Sequence, residues 1–218
     1  MKNKKNDYFL QRGFTADFRA ASETGNTIEG LAAVYEQETV IADSWGEFTE
    51  VIRAGAFDET DFSDVRLLVN HDFNGIALAR SRRNNKSDKP NTMQLFVDEK
   101  GINVKATLDT ENNEQARALY SAISRGDMDG MSFCFYVGKD GQKWNKDFTR
   151  REIFKVDKVI EVSAVNFPAY GGTNIDSRSL DSNRRALEDA RAELLDSREE
   201  VKPDYKLSAI IKQYKKGR

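Results

Sequence analysis

In the stretch DGMSFCFYVG, residues 129–138, a serine and the chain's only cysteine stand two positions apart inside an apolar run. Ser132 and Cys134 share one face of the strand this run predicts, and Met131, Phe133, Phe135 and Val137 share the other. A hydroxyl or a thiol becomes a nucleophile when a base takes its proton, and imidazole is the side chain best suited to that task near neutral pH. The chain has one imidazole, His71, closing the run VRLLVNH. Glu161 is equally out of place, a carboxylate within KVIEVSAVNF, where its neighbours are apolar or small. Burying an unpaired carboxylate is expensive, so Glu161 needs a partner. A carboxylate on one imidazole nitrogen fixes the tautomer and stabilises the imidazolium that forms when the other nitrogen takes a proton. Plainer roles stay open at this point. Ser132 can be a buried hydroxyl, His71 a structural residue at a strand end, and Glu161 a solvent-facing residue sharing a face with Val159, Ser163 and Val165. Cys134, deeper in its strand, reads as a small buried hydrophobe whose thiol apolar surroundings keep inert.

Composition narrows the alternatives. One His and one Cys cannot complete a tetrahedral zinc site, and neither GDMDG nor AYGGTN has the spacing of a phosphate-binding loop. No metal and no cofactor is therefore expected. With 34 basic and 36 acidic residues, the charge balance suggests no nucleic-acid partner and no anionic membrane surface. No run of about 18 apolar residues occurs, so no membrane span is expected. The start MKNKKNDYFLQRGF lacks the apolar stretch of a secretory signal, and an unpaired cysteine fits a reducing compartment, so the expected location is cytoplasmic.

Elements that could hold these residues follow from periodicity. Short β-branched and aromatic runs separated by turn residues extend from Thr15 to Phe167, predicting a mostly antiparallel β domain with strands at 27–35, 47–52, 65–71 and 76–81. In TMQLFVDEKGINVKATL, two alternating runs flank DEKG, a hairpin signal. NNEQARALYSAISRG predicts a helix, with Ala116, Leu119, Tyr120 and Ile123 on one face and Gly126 as its stop. After Gly171 and Gly172 the β signal ends. A charged helix is expected, with Leu180, Leu187 and Leu194 seven apart and Arg184/Glu188 and Arg185/Asp189 as supporting pairs. Pro203 breaks it before a basic tail. The fold class is thus mainly β with flanking helices, α+β. Residues 1–12 are expected as a flexible N-terminus, 13–175 as the β domain, and 176–218 as a helical extension and tail, solvated in its plainest reading.

The segments IEGLAAVYEQ, FTEVIRAGAFDET, VRLLVNHD, LYSAISRGDMDGMSFCFYV and VIEVSAVNFPAY occur in an order that resembles the prohead proteases of tailed bacteriophages, the capsid-maturation serine proteases. The resemblance spans roughly residues 12–175. It implies an antiparallel β-barrel flanked by helices, similar to the herpesvirus assembly protease and unrelated to chymotrypsin. His71 in VNHD matches the family's catalytic histidine, Ser132 in GMSF its nucleophile, and Glu161 in IEVS the position of a third member. Herpesvirus relatives use a second histidine there, which this chain does not have. The implied substrates are scaffold or the scaffolding segment of the major capsid protein, and the enzyme itself, with self-association, inside the prohead assembling in the host cytoplasm. The charged extension would then be a targeting or self-cleaved segment. A non-enzymatic β-barrel protein of the virion is the alternative, and a Cys134 thiol hydrolase a further one.

Overall fold

A computed structural model describes residues 7–15, 18–21, 25–43, 46–82, 90–166 and 177–199. In chain order the strands are β1 (Tyr8–Thr15), β2 (Arg19–Ala20), β3 (Thr27–Val34), β4 (Thr39–Asp43), β5 (Gly46–Ile52), β6 (Val65–Val69), β7 (Ala79–Ser81), β8 (Met93–Val97), β9 (Gly101–Thr107), β10 (Gly130–Val137), β11 (Gln142–Trp144), β12 (Arg150–Ile153) and β13 (Lys158–Val165). Helix α1 (Glu114–Arg125) precedes β10, and α2 (Ser177–Glu199) follows β13. The α+β class expected from the sequence is the class observed. The closed antiparallel barrel is not. The strands form three sheets, ordered β1-β10-β13-β6-β7, β11-β12-β5-β4 and β2-β3-β9-β8. Two neighbouring pairs, β13 with β6 and β12 with β5, run parallel.

The best-signalled elements form where their residues direct. Met93, Leu95, Ile102, Val104 and Ala106 alternate inward along the β8–β9 hairpin. Asn113 caps α1 by accepting from the Gln115 and Ala116 amides, and Gly126 ends it at φ 76°, a conformation that favours glycine. Ala116, Leu119 and Ile123 bury the apolar face. Phe133 and Phe135 of β10 stack at 4.4 Å within the central core, which also takes Met131, Val162 and Ala164. Each such Phe, Met or Val side chain contributes about 1.5–3 kcal/mol by leaving water.

The chain ends depart from the sequence reading. Residues 8–12, assigned to a flexible N-terminus, belong to β1, which pairs with β10 along its whole length. Arg12, the last residue of that expected N-terminus, is 1% exposed. Its guanidinium donates to the Glu50 carboxylate (Nη2 to Oε2, 2.8 Å) and to Asn183 Oδ1 of α2 (3.0 Å). Arg151 of β12 reaches the same two acceptors at 3.1 Å each. The extension expected to be solvated is thus docked. Its contact stripe is Ser179, Ser182, Asn183 and Ala186, all buried, whereas Leu180, Leu187 and Leu194 are only half-buried. The leucine repeat misdirects because the surface beneath α2 is a buried charge cluster, which small and polar residues fit and leucine does not. Arg184 pairs with Glu188 at 2.9 Å as expected, while Asp189 accepts from the Tyr8 hydroxyl at 2.6 Å. Pro203, the basic tail and the first six residues lie outside the described residues.

Candidate active site

Strands β10, β13 and β6 lie side by side, and each supplies one part of a hydrogen-bonded line. The register sets Ser132 opposite Ser163, and Cys134 opposite Glu161. Strict alternation puts Val159 on the face of Glu161, but a bulge intervenes. Between Cys134 and Phe135 the pairing on β13 skips from Glu161 to Val159, leaving Ile160 as the extra residue. Val159 consequently turns into the core with Val162 and Ala164, and Glu161 and Ser163 keep the opposite face.

His71 arrives by a different device. The expected strand at 65–71 stops at Val69, and Asn70 and His71 both take the left-handed conformation, at φ 49° and 57°. That region costs a residue other than glycine on the order of 1 kcal/mol or more. The turn is held by three bonds to β13 and its end. The Asn70 amide donates to the Ala164 carbonyl (2.9 Å), the Asn166 amide to Asn70 Oδ1 (3.2 Å), and the His71 amide to Ser163 Oγ (3.1 Å). A continuing strand would carry the ring on along β6. The reversal folds it back over β13 and β10.

There the imidazole bridges the other two residues singled out in the sequence. His71 Nδ1 is 2.7 Å from Glu161 Oε1, and Nε2 is 2.7 Å from Ser132 Oγ. The Ser163 hydroxyl donates to Glu161 Oε2 at 2.6 Å, so both carboxylate oxygens are engaged. A carboxylate can only accept, which places a proton on Nδ1 and leaves Nε2 with a lone pair facing Ser132. The serine hydroxyl has a second acceptor, the Arg12 carbonyl at 2.8 Å. With a neutral ring, Ser132 can donate to Nε2. Once Nε2 is protonated, the ring donates to Oγ and the hydroxyl proton turns to Arg12. Glu161 and Ser132 are each 1% exposed, and in that low-dielectric setting hydrogen bonds to charged groups are strong.

Two supporting groups escaped the sequence reading. Ser163 lies on Glu161's face two residues on, so period two alone marks it as a neighbour, though not as the bridge between the His71 amide and the carboxylate. Nothing in the sequence signals Arg12, 120 residues from Ser132, because its part is played by the main chain. Cys134 is buried as expected, but its surroundings are not apolar. Its Sγ stands 3.5 Å from His71 Nδ1. His71, Cys134 and Glu161 offer ligand atoms within 4.8 Å of one another, the one such group found among the described residues. Two ligands of one tetrahedral zinc lie about 3.3 Å apart, whereas Nδ1 and Oε1 are at hydrogen-bond distance.

Helix α2 touches this site at two places. The Gln11 amide donates to Ser179 Oγ (3.0 Å) beside Arg12, and the Arg178 guanidinium stacks over Phe73, two residues past His71, at 5.2 Å.

A hydroxyl and a carboxylate on adjacent strands, joined by an imidazole from the turn after a third, form a hydrogen-bonded line with the geometry of a Ser-His-acid hydrolase. The family model of caudovirus prohead serine proteases matches residues 14–186, from the end of β1 to Ala186 of α2. The chain belongs to this family. No curated protein matches it. Among solved structures, the bacteriophage T4 capsid assembly protease, gp21, is similar over 74% of this chain and 99% of that one, with 12% identity and a TM-score of 0.41.

Proposed function

We propose that the protein is a prohead maturation endopeptidase acting by acyl transfer, with Ser132 as nucleophile, His71 as general base and acid, and Glu161 orienting the ring. The observation that carries this is His71 held at 2.7 Å from both Ser132 Oγ and Glu161 Oε1. Attack of Oγ on the scissile carbonyl passes the hydroxyl proton to Nε2. His71⁺ returns it to the leaving amine, and then removes a proton from the water that hydrolyses the acyl-enzyme. The Arg12 carbonyl cannot donate, so it takes no part in stabilising the oxyanion. It accepts the hydroxyl proton only while Nε2 is protonated and the ring cannot act as base. A structural shell protein would gain nothing from enclosing a carboxylate, an imidazole and a hydroxyl in one line, given the cost of desolvating them.

The substrates in this reading are scaffold or the scaffolding segment of the major capsid protein, and the protease itself, inside the prohead assembling in the host cytoplasm. Co-expression with the major capsid protein, read by intact mass, tests it. Wild type is expected to yield truncated capsid protein, and Ser132→Ala to leave every chain at full length. Cleavage that persists in Ser132→Ala but is abolished by iodoacetamide would transfer the role to Cys134.

Ser163 is a positioning residue in this scheme. Ser163→Ala removes one hydrogen bond from the Glu161 carboxylate, of a class worth about 1.5–3 kcal/mol, and a neutral one from the His71 amide. The expected result is a fall in kcat of about 10- to 100-fold with KM within twofold, restored by Ser163→Thr if the hydroxyl is what matters. Glu161→Gln should cost more than Ser163→Ala, and less than Ser132→Ala. An equal fall in Ser163→Thr would mean that Ser163 only fills space.

A further inference from the structure

Beside the His71 turn lies an open cleft of about 550 Å³. Val69, Ile76 and Leu78 line it from the β6–β7 connection, Leu119 and Ala122 from α1, and Met128 from the approach to β10. Leu78, Leu119 and Met128 are buried, whereas Ile76 is 65% exposed. Its position relative to the catalytic line follows from the chain. Asn70 and Asp72, the residues on either side of His71, both line it, and Met128 stands four positions before Ser132. Among the described residues no Lys or Arg lines the cleft, and the one charged residue there is Asp72, whose Oδ1 already accepts from the Asn74 amide (3.0 Å).

An apolar concavity with an exposed isoleucine at its rim costs solvation until something apolar covers it. A peptide whose carbonyl is attacked by Ser132 must pass His71, since the same imidazole protonates the leaving amine. A side chain within a few residues of the scissile bond then falls beside the turn that forms the cleft wall. The walls suit a long aliphatic or aromatic side chain. They give an acidic one no cation, set the Asp72 carboxylate against it, and would strip its water.

We propose that this cleft is a substrate subsite that takes a large apolar side chain, Leu, Ile, Met or Phe, flanking the scissile bond, and excludes Asp and Glu. The proposal rests on the reading of Ser132 and His71 as the catalytic pair.

Digestion of a proteome-derived peptide library by the full-length protein, with cleavage sites read by mass spectrometry, tests it. One position near the cut is expected to be enriched at least about tenfold in large apolar residues over Gly, Asp and Glu, the discrimination a hydrophobic pocket can supply. Matched peptides with Leu or Ala at that position then give a ratio of kcat/KM in which any general loss of activity cancels. Ala122→Phe, which fills the cleft from α1, should bring that ratio from tenfold or more to near one. Ile76→Lys, at an exposed position with little bearing on folding, should lower it and raise cleavage of peptides with Glu there. Cleavage without apolar preference, or a ratio unchanged in both variants, overturns the subsite while leaving the hydrolase reading intact. A wild type that cleaves nothing and is not labelled at Ser132 by a fluorophosphonate overturns both.

Discussion

Ser132→Ala, His71→Ala and the double variant are expected to fall to the same residual rate, roughly four to six orders of magnitude below wild type. The equality is the informative part. In the proposed mechanism Ser132 Oγ and His71 Nε2, 2.7 Å apart, act on one proton. Removing either atom ends the transfer, so removing both costs nothing more. Independent contributions would multiply instead. The fold is expected to survive, because Ser132→Ala removes one hydroxyl whose partners are the ring and the Arg12 carbonyl, a loss of about 1 kcal/mol. Turnover of a capsid-derived peptide, with circular dichroism as the control for folding, checks it. A Ser132→Ala protein keeping more than a hundredth of wild-type activity would remove Ser132 from the nucleophile's role.

Glu50→Gln is expected to have the largest effect on stability, a loss of about 3–5 kcal/mol, the cost of breaking a buried ion pair from one side. Glu50 is 2% exposed and faces two guanidinium groups, Arg12 and Arg151. Burial pushes the Arg151 guanidinium down to about 10, only partly countered by Glu50, so it remains a cation at neutral pH. Replacing the carboxylate leaves two buried cations facing an amide. At a typical urea dependence, the denaturation midpoint should drop by roughly 1–2 M. The pH dependence has a definite sign. Burial alone would raise the Glu50 carboxyl, but the charges of Arg12 and Arg151 outweigh it and hold the group below its ordinary 4.5. The folded protein therefore binds this proton less readily than the unfolded chain. The stabilisation is complete above pH 4.5 and drains away as pH falls below it, and Glu50→Gln should flatten that part of the profile. Because Arg12 anchors α2 with its side chain and accepts from Ser132 with its carbonyl, activity should fall together with stability. A variant as stable as wild type would show that α2 docking does not depend on the charges beneath it.

The hairpin, α1 with its glycine stop, and the two faces of β10 were all legible in the sequence, because each is set by residues a few positions apart and by periods of 2 or 3.6. The bulge at Ile160 was not. It changes which residues of β13 face inward, and a bulge depends on how two strands meet. The seat of α2 was hidden for a related reason. Apolar spacing pointed to its leucines, while the true contact is made by Ser179, Ser182, Asn183 and Ala186 over charges contributed by β1, β5 and β12. A pattern of hydrophobicity carries no record of a polar partner more than a hundred residues away.

For the site, the residue types alone determined its inventory. One histidine in the chain, a serine opening an apolar strand and a carboxylate embedded in another supplied the candidates, and the resemblance to prohead proteases assigned their roles. Tertiary structure decided whether they meet. It did so through the left-handed turn at Asn70 and His71, the parallel pairing of β6 with β13 and the register of Ser132 against Ser163. These are long-range geometry, set only when the sheet forms. The two groups that complete the line, the Ser163 hydroxyl and the Arg12 carbonyl, are bound by distances across the sheet, where neither the order of residues nor their chemistry says in advance which atoms will touch.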